Sequence, residues 1–495
     1  MGEDQRRSCS GEDRISCLPD EMLQEILVRL CCSRAAARTG LLSRRWSHVW
    51  PHLPELVLDD DDPDTPPQAS FMDAVDAAIG ACLAPTLECL LISLFPVGNQ
   101  PPVPAGRAAR WLRFASQCVV GTLSLYAPSP KDDGEEATLE LPACKGAKKI
   151  TLFLAKSWRL QLPPAGLFMA LTSLSIRIGH MEGSELTALV CTWCPRLNSL
   201  SLFTTLVATF DFTIRSDSLL LVWLHRLRNT RRIEIVAPRL EELFLSYVTE
   251  ARISAPKLAK LAWHCEDYDP HRHQFVDVGR RLKLLETGTR KSIVSSFMKQ
   301  FDEVDELKLE FCMEIPSYES FLNGTNKLPK CKTLSVTLFC SDDHGLAPTL
   351  LHLLKSCNST RTLSIVFMSS YDLMQFFCPL SCYYCRSIEE NSGTDDISLN
   401  SLEEVKITSY ASPHGELEFV EHLSRCHTPV LKRLVIKNMI KAAPLSNKET
   451  CEKILNMCRP SIKVEFYASS TKGLVRIGLR SRTIPDFFLR KTGSD

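Results

Sequence analysis

The sequence predicts an α/β chain: a small all-helical module at the N-terminus, then a solenoid of short stacked strands. Three observations predict it. Apolar residues at Leu23, Ile26, Leu27 and Leu30 keep the i, i+3, i+4, i+7 spacing of one helix face. Further along, short apolar segments with period two recur, many of them 22 to 29 residues apart. Between these regimes lies Asp59-Asp60-Asp61-Asp62-Pro63-Asp64-Thr65-Pro66-Pro67, acidic, proline-bearing and without apolar periodicity.

Residues 1–12 are polar and charged and read as a disordered tail. Pro19, Asp20 and Glu21 then suit a helix start, where a missing N–H is harmless and negative charge is favoured. Ser33 is expected to cap a second helix running through Ala35, Ala36, Thr39 and Leu42 to Trp46, with Trp50 one turn beyond. Gly40 falls inside that helix, at a cost of up to about 1 kcal/mol. Two or three short helices cannot bury both tryptophans and the leucine face well, so a partner or the rest of the chain is expected to cover them. Residues 59–70 read as a linker, and 71–83 as a helix with Phe71, Val75, Ala78, Ile79 and Leu83 apolar.

The strand regime follows. Its L-x-L segments include Leu123–Leu125, Leu152–Leu154, Leu174–Ile176, Leu200–Leu202 and Leu243–Leu245. The series resumes at Leu307–Leu309, Leu334–Val336, Leu363–Ile365, Val405–Ile407 and Leu434–Ile436. Starts at 123, 152, 174 and 200 lie 29, 22 and 26 residues apart, within the period of a leucine-rich repeat. Such a unit cannot enclose its own core, and stacking the units makes a continuous one under a parallel sheet. Pro195, Pro238 and Pro256 each stand just before a strand, where proline ends the preceding segment without interrupting the ladder. Stretches 185–191 and 349–357 have helical spacing and are expected on the opposite side from the strands. The stretch 266–302 fits no repeat, and the polar run 379–398 reads as a loop. Repeats are assigned to 71–395, a strand–helix–strand module to 396–470, and a tail to 471–495.

Lys plus Arg and Asp plus Glu both number 58, so the net charge is zero. That argues against nucleic acid or an anionic membrane as the main partner, since both attract a positive field. No signal-peptide core and no apolar run of membrane-spanning length is present, so an intracellular chain is expected. The 21 cysteines, scattered along the chain, read as small buried hydrophobes in a reducing compartment.

No G-x-S-x-G, H-E-x-x-H, P-loop or dinucleotide glycine fingerprint occurs, so no catalytic site, cofactor or metal is expected. Cys382-Tyr383-Tyr384-Cys385 lacks the second ligand pair of a zinc site. His264, Cys265, Asp267, Asp269, His271 and His273 read as a polar loop around the Asp269-Pro270 turn. Trp158, Trp193, Trp223 and Trp263 are expected to pack in the core or at repeat junctions.

One resemblance organises these observations. Asp13-Arg14-Ile15-Ser16, Leu18-Pro19-Asp20-Glu21, Ala37-Arg38-Thr39, Leu42-Ser43-Arg44-Arg45-Trp46 and Trp50 resemble, in order, the F-box of plant F-box proteins, here residues 13–58. Residues 402–407, 415–423 and 428–436 are similar to the FBD module that ends many such proteins with leucine-rich repeats. The resemblance implies a non-catalytic substrate-recognition subunit of a Skp–cullin–F-box ubiquitin ligase. Its F-box would bind a Skp-type adaptor, and through it a cullin–RING ligase, by Leu18, Pro19, Leu23, Ile26, Leu27, Leu30, Leu42 and Trp46. The repeats would hold a target protein. The alternative is a repeat scaffold that joins no active ligase.

Overall fold

A computed structural model describes residues 18–59, 68–94, 102–129, 137–163, 166–265, 268–288, 295–312, 328–340, 346–369, 397–410, 414–439, 446–470 and 473–476. The chain divides into two compact units, residues 1–257 with 272–278, and residues 258–271 with 279–495.

Unit 1 begins with helices α1 (Asp20–Val28), α2 (Ser33–Thr39) and α3 (Arg44–Val49), then a short turn of 3-10 helix, Trp50–His52. Pro19 stands at the α1 N-cap, with Asp20 and Glu21 in the first turn, where they meet the positive end of the helix dipole. Arg45 on α3 reaches back to Asp20 at 2.7 Å and to the Leu18 carbonyl, closing the helices on one another. The expected long second helix is two helices. Gly40 is the C-cap of α2 rather than an interior residue, and Ser43 precedes the first turn of α3. Ser33 does not cap α2 either: it is the first helical residue, and its hydroxyl accepts the Val57 N–H at 2.7 Å.

That bond leads into the sheet. Strand β1 (Glu55–Asp59) pairs in parallel with β2 (Leu87–Ser93), across α4 (Gln68–Ala81), which starts before the expected helix at 71–83 and ends two residues short of it. Helix α5 (Ala105–Cys118) packs beside α4. Trp111, buried, donates its indole N–H to Asp76 at 2.7 Å, and Arg107 pairs with Asp73.

From β3 (Val119–Ala127) the repeats take over: β4 (Ala137–Glu140), β5 (Lys149–Leu154), β6 (Trp158–Gln161), β7 (Ser173–Met181), β8 (Ser199–Arg215), β9 (Leu221–His225), β10 (Arg228–Val236), β11 (Glu242–Ser246) and β12 (Glu250–Ser254). They form two parallel ladders. The first runs β1–β2–β3–β5–β7–β8–β9–β11. The second runs β4–β6–β7–β8–β10–β12 and ends on β14 (His273–Val276). Strands β7 and β8 serve both ladders. β7 turns the corner at Ile178 and Gly179, both with positive φ, and Gly179 meets no Cβ penalty there.

Apolar strand positions come as close as ten residues apart at Ile233 and Leu243, and the second ladder explains it. There a strand, not a helix, returns the chain to the first ladder, and a strand covers the distance in fewer residues. Helix α6 (Gly183–Ala188), with its wider last turn Leu189–Trp193, is the expected helix at 185–191.

In unit 2 one parallel ladder runs through β13 (Lys260–His264), β15 (Arg281–Thr287), β16 (Glu303–Cys312), β17 (Lys330–Cys340), β18 (Thr362–Ser369), β19 (Glu404–Ser409), β20 (Arg433–Asn438) and β21 (Lys463–Ser470). The antiparallel strand β22 (Gly473–Arg476) folds back on β21. Helices α7 (Ser295–Met298), α8 (Leu346–Ser356), α9 (His414–Arg425) and α10 (Ser446–Met457) lie between its strands in sequence. The stretch 266–302 therefore does hold repeat strands, β14 and β15. Charged residues between the apolar positions of Arg281–Thr287 hid the second of them. Every L-x-L segment named from the sequence lies in a strand, with both of its apolar residues buried. The Cys382–Cys385 pair and the run 379–396 lie outside the described residues.

Candidate functional site

The first candidate surface is the helical module. Leu23 and Leu27, 1% and 2% exposed, form its core with Ala36, Val49 and Leu53, and Leu18, Val28, Trp46 and Trp50 pack against that core. This corrects the expectation for Leu23 and Leu27: buried inside the module, they have no surface left for a partner. Leu18 and Trp46 are half-buried on the same core, and Pro19 is exposed at the start of α1. Ile26, Leu30 and Leu42 do face solvent, Leu42 at 77%, and the sequence reading missed their neighbours Met22 and Leu41, the latter at 89%. The i, i+3, i+4, i+7 set thus divides between two directions. On the nine-residue helix Leu23 and Leu27 face the core and Ile26 flanks them, while Leu30 lies in the turn past the helix end. Behind the module a cavity of about 300 Å³ is lined by Cys32, Ala37, Trp50, Val57, Phe71 and alanines of α4.

The second surface is the solvent side of the first ladder in unit 1. Leucines and isoleucines fill the core side, so the residues between them point outward. The register aligns these outward residues in rows. Ser124, Thr151, Ser175 and Ser201 stand side by side on β3, β5, β7 and β8, and Trp223 and Phe244 continue the row on β9 and β11. Two residues further along each strand lie Tyr126, Phe153, Arg177 and Phe203, with His225 on β9.

Rings touch along and between these rows. Tyr126 stacks on Phe153 at 5.9 Å, the Arg177 guanidinium lies 5.9 Å from the Phe153 ring centre, and Phe203 meets His225 edge-on at 5.0 Å. His225 and Trp223 both reach Phe244, at 5.9 and 4.9 Å. The result is a floor of small hydroxyl side chains with an aromatic wall and an aromatic end. Of the tryptophans expected in the core or at repeat junctions, Trp158 and Trp263 are buried, and Trp223, 48% exposed, packs on Phe244 of the neighbouring strand. The signal lay in the recurring motif L-[ST]-L-Y/F/R at 123–126, 150–153 (with Ile first), 174–177 (with Ile third) and 200–203.

The histidine-rich stretch 264–273 brings together different groups from those the sequence suggested. Asp269 accepts the His271 backbone N–H, a local turn contact, and buried His273 lies 3.1 Å from the Thr249 carbonyl. His264 instead meets Glu286 at 3.0 Å, with Glu310 close by. The hydrogen bond from His264 holds the Glu286 carboxyl below its ordinary range. Lys308 stands 4.0 Å from Glu286, so a cation already balances this cluster. Among the described residues no helix is long and apolar enough to cross a membrane.

Comparison with known proteins bears on both surfaces. Residues 108–315 match the family described as "FBD-associated F-box protein At5g56370, LRR repeats". Among curated proteins of Arabidopsis thaliana, F-box/LRR-repeat protein At3g03360 is 33% identical over 39% of this chain and 38% of its own length. Putative FBD-associated F-box protein At5g56440 is 28% identical over 42% of this chain and 46% of its own, and F-box/FBD/LRR-repeat protein At3g52680 is 28% identical over 41% and 43%. Each of these alignments spans less than half of the relative's length. In its helical module, its stacked parallel strands and its matched repeats, the chain resembles the plant F-box proteins with leucine-rich repeats and an FBD module.

Proposed function

We propose that the chain is the substrate-recognition subunit of a Skp–cullin–F-box type ubiquitin ligase. On this reading residues 13–58 are the F-box, 71–395 the repeats and 396–470 the FBD-like module. The F-box takes a Skp-type adaptor and the repeats take a target protein. The chain itself carries out no chemistry. It raises the effective concentration of the target at a ubiquitin-charged enzyme.

The observation that carries the reading is the exposed apolar set Met22, Ile26, Leu30, Leu41 and Leu42, on a module whose own core is already closed by Leu23 and Leu27. Burying such side chains in a complex contributes about 1.5–3 kcal/mol each before association costs. Co-expression with a Skp-type adaptor, followed by size-exclusion chromatography, tests it. Wild type is expected to co-elute with the adaptor, and Ile26→Asp combined with Leu42→Asp is expected to elute apart from it while melting as wild type. Leu23→Ala is expected to act differently, lowering stability by about 2–5 kcal/mol through the cavity it leaves. Separate elution of the wild-type chain, or co-elution undiminished by the double substitution, would overturn the proposal in favour of a repeat scaffold.

A further inference from the structure

We infer that the hydroxyl-floored trough on unit 1 takes an extended protein segment carrying separate carboxylates among aliphatic or proline side chains; this inference rests on the target-receptor reading above. Charge is the first argument. On the first-ladder segments of the central strands, residues 119–127, 149–154, 173–177, 199–203 and 221–225, the outward residues include Lys149, Arg177 and His225 and no aspartate or glutamate. Asp211, exposed further along β8, lies on the second ladder and pairs with Arg231. Lys149 and Arg177 make no ion pair among the described residues, so both positive charges are open to a partner. A second copy of this chain would bring like charges together on such a face, which disfavours self-pairing.

The spacing of the cations selects the kind of anion. Lys149 pairs in register with Ser173, four residues before Arg177, so the two cations stand about 13 Å apart along the strand direction. A phosphate is held by donors that converge on it, whereas two isolated cations match two isolated carboxylates. Nucleic acid would need a longer run of positive charge than these two residues offer.

The floor and the wall select the rest of the partner. Serine and threonine are short enough to let a backbone approach the sheet, and each hydroxyl both donates and accepts hydrogen bonds. An extended segment presents unpaired amides to such a floor. The flat faces of Tyr126, Phe153 and Trp223 suit aliphatic and proline side chains, which bury well without needing a polar partner.

The test uses the full chain, expressed with a Skp-type adaptor and also alone. A display library of random dodecapeptides is selected on wild type and counter-selected on Arg177→Glu with Trp223→Ala. Enrichment of aspartate or glutamate beside aliphatic residues or proline is expected. Fluorescein-labelled peptides alternating Glu with Val and Pro then serve as the probe. They are expected to bind at least about tenfold tighter than the same peptides with Lys in place of Glu, and more weakly as salt rises. Arg177→Gln and Trp223→Leu, both exposed and chosen to keep the fold, are each expected to weaken binding about tenfold.

Enrichment of basic peptides, enrichment that the substitutions do not alter, or none at all would overturn the inference. A dimer of the wild-type chain that Trp223→Leu dissolves would overturn it in favour of a second copy. Co-elution with the adaptor is read separately. Its loss with peptide preference intact removes the ligase reading alone, and its retention with no peptide preference removes this inference alone.

Discussion

The two units build their ladders from the same L-x-L strands and then dress the outward side in opposite ways. On the first ladder of unit 1, from β3 to β9, that side is hydroxyl and aromatic, and Lys149 and Arg177 have no acidic residue directly beside them in register. In unit 2 it is a set of charges that answer one another. Glu404 is met by Lys406 and Arg433, both at 2.8 Å, and Glu465 by Arg433 and Lys463, both at 2.7 Å. Glu286 has His264 and Lys308, and Ser335 donates to Glu306 at 3.0 Å. A face whose charges are satisfied internally offers little to a partner, because any new contact must first displace an existing one. A face with open cations and exposed rings offers both steering and apolar area. The comparison teaches that strand geometry does not decide which part of a repeat array reads a ligand. The pairing of its outward side chains does.

This contrast can be broken by experiment. The largest expected effect is on target capture from cells expressing tagged chain: Arg177→Glu is expected to cut it by about tenfold or more, and Lys308→Ala by less than about twofold. Equal losses would erase the distinction between the faces. A smaller effect is expected on stability, with the opposite assignment. Glu465→Gln leaves Arg433 and Lys463 without their shared carboxylate and is expected to lower the melting temperature. Trp223→Ser removes an exposed ring and is expected to leave it nearly unchanged. Differential scanning calorimetry of the two variants distinguishes them.

The smallest and most graded effect is with pH. Hydrogen bonds from Lys463 and then Arg433 depress the Glu465 carboxyl from 4.5 to about 2. A carboxyl depressed on folding stabilises the native state fully above its unfolded value. That contribution is lost as pH falls through the folded value. Unit 2 is therefore expected to weaken between about pH 4.5 and 2, and Glu465→Gln to flatten that slope in melting curves. An unchanged slope would show that this carboxylate is not the one holding the strands.

Much of the fold was legible because burial imposes period two on a strand. Leu200, Leu202, Leu334 and Val336 announce their strands by alternation alone, and all four are buried. The stretch 266–302 was not legible, because Lys283 and Glu286 break up the apolar pattern of β15 while Leu282 and Leu285 still reach the core. The candidate sites were half legible. Ile26, Leu30 and Leu42 were expected on the surface and are there, but Leu23 and Leu27 were placed with them and are not. A nine-residue helix shows the same spacing whether one or two directions use it, and only α2, α3 and Trp50 decide which leucines they cover.

By itself, then, the order of residues determined the strands, their inward faces, the helical module and the balance of charge. Each of these follows from interactions within a few positions along the chain. What the tertiary structure alone decided is alignment. Tyr126, Phe153, Arg177 and Phe203 are separated by 24 to 27 residues, yet the unslipped parallel register sets them in one row. A slip of one residue in any pair would turn the next aromatic into the core. That register is held by leucines packing on the far side of the sheet, so the surface that meets a partner is positioned by residues that never touch it.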